Sequence, residues 1–190
     1  MPLGAHKAAL FGASADLSSA VLLSTATASD DASLEFTLPT AYKQVKFGFY
    51  NVTPASDGVN LTFDCSVSAS YGTTKTTSYF TANHDEANTS TQLAYMTAHD
   101  LAQSTNAQRL TGGIGNGADE SCAGELHLFN PSSAYVKHFY ATVPHYESSN
   151  YTQTGYVGGY FNTTSALDGC KFLMSSGNIS SGVIKMWGVK

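Results

Sequence analysis

The chain has little charge to work with. Only 12% of its 190 residues are Asp, Glu, Lys or Arg, about half the usual share for a soluble domain. Nine basic residues are scattered against fourteen acidic ones, for a net charge of −5. Affinity for phosphate backbones rests on clustered Lys and Arg, so nucleic acid is not an expected partner. No stretch approaches the roughly 18 consecutive apolar residues of a membrane-spanning helix. At the start, Ser, Asp and Gly interrupt the apolar patches of MPLGAHKAALFGASADLSSAVLLSTATAS, which therefore reads poorly as an export signal.

Cysteine is also scarce. Cys65, Cys122 and Cys170 form no close pair, and a disulfide framework or a zinc site needs more thiols or tighter spacing. Cys65 is in phase with Leu61, Phe63 and Val67, and Cys170 with Phe172 and Met174. The expectation is three buried free thiols in a chain made in a reducing cytoplasm. Six N-x-[ST] triplets, at Asn51, Asn60, Asn88, Asn150, Asn162 and Asn178, follow from a composition rich in Asn, Ser and Thr.

What is abundant is strand and turn material. Hydrophobic residues make up 42% and aromatics 12%, enough to bury a sizeable core in one domain. Val45, Phe47 and Phe49 alternate with Lys46, Gly48 and Tyr50; Leu61, Phe63, Cys65 and Val67 alternate with Thr62, Asp64 and Ser66. A period of two marks half-buried strands. Thr53-Pro54-Ala55-Ser56-Asp57-Gly58 between them is a turn, so residues 45–69 are expected to form a long hairpin under a second sheet.

Further strand patterns cover 20–27, 33–38, 78–81, 123–129, 134–143, 155–163, 170–175 and 183–189. From 83 to 117 the pattern fades into a long loop, in which Leu93, Ala94, Met96, Ala98, Leu101 and Ala102 hint at a short helix. About ten short strands with turns every 8–12 residues predict an all-β fold: an antiparallel two-sheet sandwich, jelly-roll-like. Residues 1–15 are set apart as an N-terminal arm, with Leu3, His6, Lys7, Leu10 and Phe11 as its docking candidates; residues 16–190 form the single β-sandwich domain.

Reactive constellations are hard to find. Gly112 to Ala118 contains G-x-G-x-x-A, but a dinucleotide loop must follow a strand and open a helix. His84-Asp85-Glu86, with His99 and Asp100, is the best metal cluster, yet neighbours on an extended chain point to opposite faces. His127 and His138 lie on consecutive strands and make an incomplete pair. Glu35, Asp64 and Glu125, the candidate carboxylates for hydrolysis, read as a solvated face. No enzyme and no cofactor is expected. Aromatics crowd the last third, and the turn tip around Tyr146 and Tyr151, with Tyr156, is the candidate contact for a protein surface or a glycan.

The opening MPLGAHKAALFGASA, the segment FGFYNVTPASDGVNLTF and the ending SSGNISSGVIKMWGVK resemble a group of small virion structural proteins of tailed bacteriophages. The resemblance spans most of the chain but consists of scaffold motifs. It implies a β-sandwich on the virion surface, often a homotrimer, in contact with other virion proteins, and it carries over no catalytic residue. The expected function is a non-enzymatic tail or baseplate module, a fibre or tip protein touching the host surface. A capsid decoration (cement) protein and a carbohydrate-binding module are the alternatives.

Overall fold

The computed structural model describes residues 20–190, so the arm and its docking candidates Leu3, His6, Lys7, Leu10 and Phe11 lie outside the described residues. Twelve strands and no helix are present among the described residues: β1 Ala20–Asp31, β2 Leu34–Thr37, β3 Gln44–Pro54, β4 Leu61–Ser66, β5 Lys75–Asp85, β6 Thr91–Tyr95, β7 Gln108–Arg109, β8 Cys122–Phe129, β9 Lys137–Glu147, β10 Tyr151–Phe161, β11 Gly169–Met174 and β12 Ile179–Val189. They form two antiparallel sheets. The larger has the order β1-β12-β3-β8-β9-β10-β5-β6 and the smaller β2-β11-β4-β7.

Four pairings nest one inside another: β4 with β7, β3 with β8, β2 with β11, and β1 with β12. Alternate members of this nest fall in alternate sheets. The chain is thus one long antiparallel hairpin rolled up, which is the jelly-roll topology; β12 against β3 and β11 against β4 seal the roll. Two insertions are added to it. The β9-β10 hairpin extends the larger sheet beyond β8, and β5 and β6 extend it again by pairing onto β10.

This topology corrects the expected hairpin at 45–69. β3 and β4 do not pair; they lie in opposite sheets, joined by an arch that turns at Gly58 with φ 66°. Both strands carry a strong apolar face, and those faces gain more from meeting across the core than from lying side by side. The long loop at 83–117 is corrected as well: it contains β6 and β7, and the hinted helix is a strand followed by turns. Thr91, Leu93 and Tyr95 alternate with Gln92 and Ala94, a strand period too short to stand out.

The core is a contact of rings between the sheets. Phe172 of β11 lies edge-on to Phe47 and Phe49 of β3, in the facing sheet, at centroid distances of 5.0 and 5.2 Å; within its own sheet it stands edge-on to Phe36 at 6.0 Å and stacks with Phe63 at 6.3 Å. Phe63 meets Phe139 and Phe161 of the extension at 5.0 and 5.9 Å. All of these rings are buried, at roughly 1.5–3 kcal/mol of transfer free energy apiece. A bulge between Phe49 and Val52, with Asn51 at φ 47°, resets the alternation of β3 and returns Val52 to the core.

The thiol expectation is corrected in part. Cys65 and Cys170 are buried as read, but they face each other across β4 and β11 and are joined by a disulfide, 105 residues apart in sequence. Sequence spacing hid the pair because nesting, not proximity along the chain, makes those strands neighbours. Cys122 remains a buried free thiol, its pKa pushed up to about 12 by burial. Closing a loop of this length restricts the unfolded chain by an amount worth about 2–5 kcal/mol. Urea unfolding of a Cys65→Ala/Cys170→Ala variant is therefore expected to show that loss, and reduction of the wild-type protein to reproduce it; coincident midpoints with and without reductant would contradict the bridge.

Candidate interaction surface

Alternation along the larger sheet sends Val45, Phe47, Leu126, Leu128, Phe139, Ala141, Val143 and Val157 inward. Their neighbours form the outer face. Register places Tyr95, Phe80, Tyr156, Thr142, Glu125 and Gly48 in one row across six strands, and Tyr140, His127, Lys46 and Trp187 in the next. On β5, β6, β9 and β10 no Asp, Glu, Lys or Arg sits among the outward positions between Ser78 and Ala82, Thr91 and Tyr95, His138 and Tyr146, or Thr152 and Tyr160. The extension therefore presents a face of tyrosine, phenylalanine, threonine and small residues.

The rings on this face lock onto each other. Phe80 and Tyr156 stack at 4.8 Å with 9° between planes, and His127 and Tyr140 at 4.6 Å with 11°. Further along, Trp187 covers Gly48, where a Cβ would come within 2.9 Å of the indole, and stands edge-on to Tyr50 at 6.4 Å. Charge stands beside these pairs, on β12, β3 and β8: Lys185 lies over the Tyr50 ring at 5.5 Å, and the rest is one compensated group. Glu125 pairs with Lys46 and lies 2.9 Å from His127 Nε2, while His127 Nδ1 accepts from the Gln44 amide at 2.6 Å. The Lys46 ammonium, then the His127 bond, hold the Glu125 carboxyl below its usual range.

Of the expected contact tyrosines, Tyr146 and Tyr156 share this outer face and Tyr151 does not. Tyr146 ends β9 and its hydroxyl donates to Glu86 at 2.9 Å, a bond that raises its pKa. Tyr151 opens β10 in phase with Gln153 and Gly155, on the opposite side, beside Glu147; partial burial raises its pKa. The turn between them uses Asn150 at φ 63°. Phe80, Leu93, Tyr95 and Tyr140 also belong to the surface. The alternation of β6 was the signal for Leu93 and Tyr95; nothing short of strand order could have paired Phe80 with Tyr156.

On its inner side the extension is closed by the segment around Gln108 to Ile114. Gly155 lets it approach, since a Cβ there would lie 2.3 Å from the Leu110 carbonyl oxygen. Arg109 fastens the segment: Nε donates to the Thr111 carbonyl at 2.7 Å, one terminal nitrogen lies 2.7 Å from His99 Nε2, and the other donates to the Asn60 side chain. His145, 4% exposed, accepts the Gly112 N–H at Nε2 (3.0 Å), and its Nδ1 lies 3.3 Å from the Val143 carbonyl. The glycine-rich loop is thus packed against β9, with its first N–H spent on a histidine.

The other candidate clusters separate. Glu35 stands on the open side of the smaller sheet, 3.2 Å from the Tyr71 hydroxyl. Asp64 is not solvated: it is 4% exposed, takes the Gly72 N–H at 2.7 Å and pairs with fully buried Lys75 at 3.0 Å. A covering segment, 71–75, buries what the strand pattern left facing outward. Burial lowers the Lys75 pKa and Asp64 opposes that. Glu125 is on the far sheet, so the three carboxylates do not converge. His84 bonds Asn88 at 3.1 Å, Asp85 caps the turn at Thr89 and Ser90, and Asp100 accepts from the Tyr79 N–H and the Tyr95 hydroxyl at 2.7 and 2.6 Å. His127 faces Tyr140, not His138. Among the described residues no three His, Cys, Asp or Glu gather as metal ligands.

No family model matches the chain, and no curated protein is significantly similar to it. Its chemistry has to be argued from its own surface.

Buried His145 sets a pH dependence. Burial lowers its pKa to about 4, whereas in the unfolded chain it takes a proton near the ordinary value of about 6.5. The unfolded state therefore binds more protons in this window, and stability falls as pH drops from about 6.5 to about 4, by roughly 3 kcal/mol, with no further loss from this group below. Urea midpoints measured across that range should fall for the wild type and fall less for His145→Gln; parallel profiles would contradict the assignment.

Proposed function

We propose that this chain is a non-enzymatic structural module of a tailed-bacteriophage virion, an oligomeric surface protein of the tail or baseplate. The observation that carries the reading is the outer face of the extension built from β5, β6, β9 and β10, aromatic and without Asp, Glu, Lys or Arg. A face of this composition, in a chain with a net charge of −5, suits contact with protein, where depletion of charge and enrichment in Tyr, Phe and Trp mark the centre of interfaces.

The way the rings pair argues for protein over sugar. A glycan platform needs a ring face open to solvent. Phe80 and Tyr156 turn one face of each ring to the other, as do His127 and Tyr140, so each of these rings already has one of its two faces covered. The virion assignment itself rests on the resemblance of the opening, the arch and the final strand to small tailed-phage structural proteins. The disulfide fits a protein that is made in the host cytoplasm and then released, because a Cys65–Cys170 bridge persists in an oxidising medium.

Particles made by the genome that encodes this chain test the proposal. Immunogold labelling and particle imaging are expected to place it on the tail or baseplate. Label on the head would favour the cement role, and absence from purified particles would overturn the virion reading.

A further inference from the structure

Sheets with open edges invite other strands, and natural proteins guard them with charge, proline, bulges or shortness. Among the described residues this protein has four such edges, β1, β6, β2 and β7. β1 carries Asp30 and Asp31, with Asp30 at φ 61° and a register shift between Leu22 and Ser24. β2 has four residues including Glu35, and β7 has two. β6, one residue longer than β2, lacks charge, proline and bulge. Its five residues, Thr-Gln-Leu-Ala-Tyr, contain no charge and no proline, and they pair with β5 without a register shift. On its outer face Leu93 is 75% and Tyr95 59% exposed. An apolar edge strand left open and regular is one that the assembled protein covers.

We propose that β6 is a docking edge for a second copy of this chain, joined β6 to β6 in antiparallel register about a two-fold axis, so that two eight-stranded sheets run on into one. This deepens the oligomeric reading above and rests on it. The occupant follows from the other edges. Head-to-tail addition would need β6 to pair with β1, β2 or β7, each of which is charged, bulged or too short, so among the edges of the described residues β6 finds its unguarded counterpart in another β6. The strand is also compatible with itself: full overlap of Thr91–Tyr95 sets Leu93 opposite its own copy and Thr91 opposite Tyr95, with no like charges in the pair.

Charge fixes the direction. Asp85 ends β5 and Glu86 begins the turn that leads to β6. Parallel pairing would set the two acidic turns side by side. Antiparallel pairing parts them by at least the length of the strand, on the order of 14 Å, beyond a physiological screening length of about 8 Å. Five residues a side bury less than the roughly 800 Å² per partner of a standard interface, so the contact is weak in solution and strengthened where many copies are held together. The two-fold replaces the three-fold implied by the resemblance, as far as this edge is concerned.

Leu93→Cys tests the geometry, since directly opposed residues of an antiparallel pair bring Cα atoms about 4.5–5.5 Å apart, within the Cα span of a disulfide. The full-length protein at high concentration, under copper–phenanthroline oxidation, is expected to give a cross-linked dimer on denaturing gels. The control Tyr135→Cys, 79% exposed but away from β6, is expected to stay largely monomeric. In light scattering of the uncross-linked wild type, mass should rise with concentration, and Leu93→Lys, which places a cation at an exposed edge without touching the core, should abolish the rise. A wild-type oligomer indifferent to Leu93→Lys, with Leu93→Cys linking no better than the control, overturns the β6 contact and leaves the oligomeric reading standing. A monomer at every concentration with no preferential link overturns both.

Discussion

Edge-on contact of Phe172 and Phe36, on the smaller sheet, with Phe47 and Phe49 of β3 in the larger one is what holds two sheets together as one body. Each sheet alone would expose an apolar face to water, and the smaller has only four strands. The contact also dictates topology. Strands β1 to β4 alternate between sheets as the chain advances, which sets Phe36 and Phe63 across from Phe47 and Phe49, and a hairpin rolled over itself does that with short connections. Phe63 then hands the core on to Phe139 and Phe161, so the added strands are anchored to the same ring cluster and not merely hydrogen-bonded to its rim.

This separates scaffold from surface. The eight nested strands suffice for a closed jelly roll, and the disulfide between β4 and β11 ties the smaller sheet internally. β5, β6, β9 and β10 are not needed for that closure. They build a wing whose inner side is sealed by Arg109, His145 and the segment around Leu110, and whose outer side is uncharged and aromatic. The chain commits four strands, and buried polar contacts that cost desolvation, to supporting that outer side. A surface built at such expense is the natural place to seek this protein's business with partners.

Much of the fold was legible because strand alternation is a local signal. Phe47, Phe49, Leu61 and Phe63 announced their burial from their own neighbours, and most strands begin and end within a few residues of where alternation placed them. What was not legible is long-range. Nothing local distinguishes a hairpin from an arch when both strands carry the same pattern, so β3 and β4 were read as partners. Cys65 and Cys170 were buried as read, but their pairing depends on which strands the roll makes adjacent. Asp64 looked solvated because a strand pattern cannot reveal that residues 71–75 will lie over it and bring Lys75. The aromatic outer face was half visible: Tyr146 and Tyr156 stand on it, while Leu93 and Tyr95 sat in what read as loop.

The central claim is that one ring cluster makes both sheets a single cooperative unit. Replacing Phe172 by Ala removes a buried ring with four aromatic neighbours and should cost about 3–5 kcal/mol. Amide hydrogen exchange on Phe172→Ala reads it most directly. Protection is expected to fall by the same free energy in β3 and β8 of the larger sheet as in β4 and β11 of the smaller one. Loss confined to the smaller sheet, with β3 and β8 unchanged, would contradict the account.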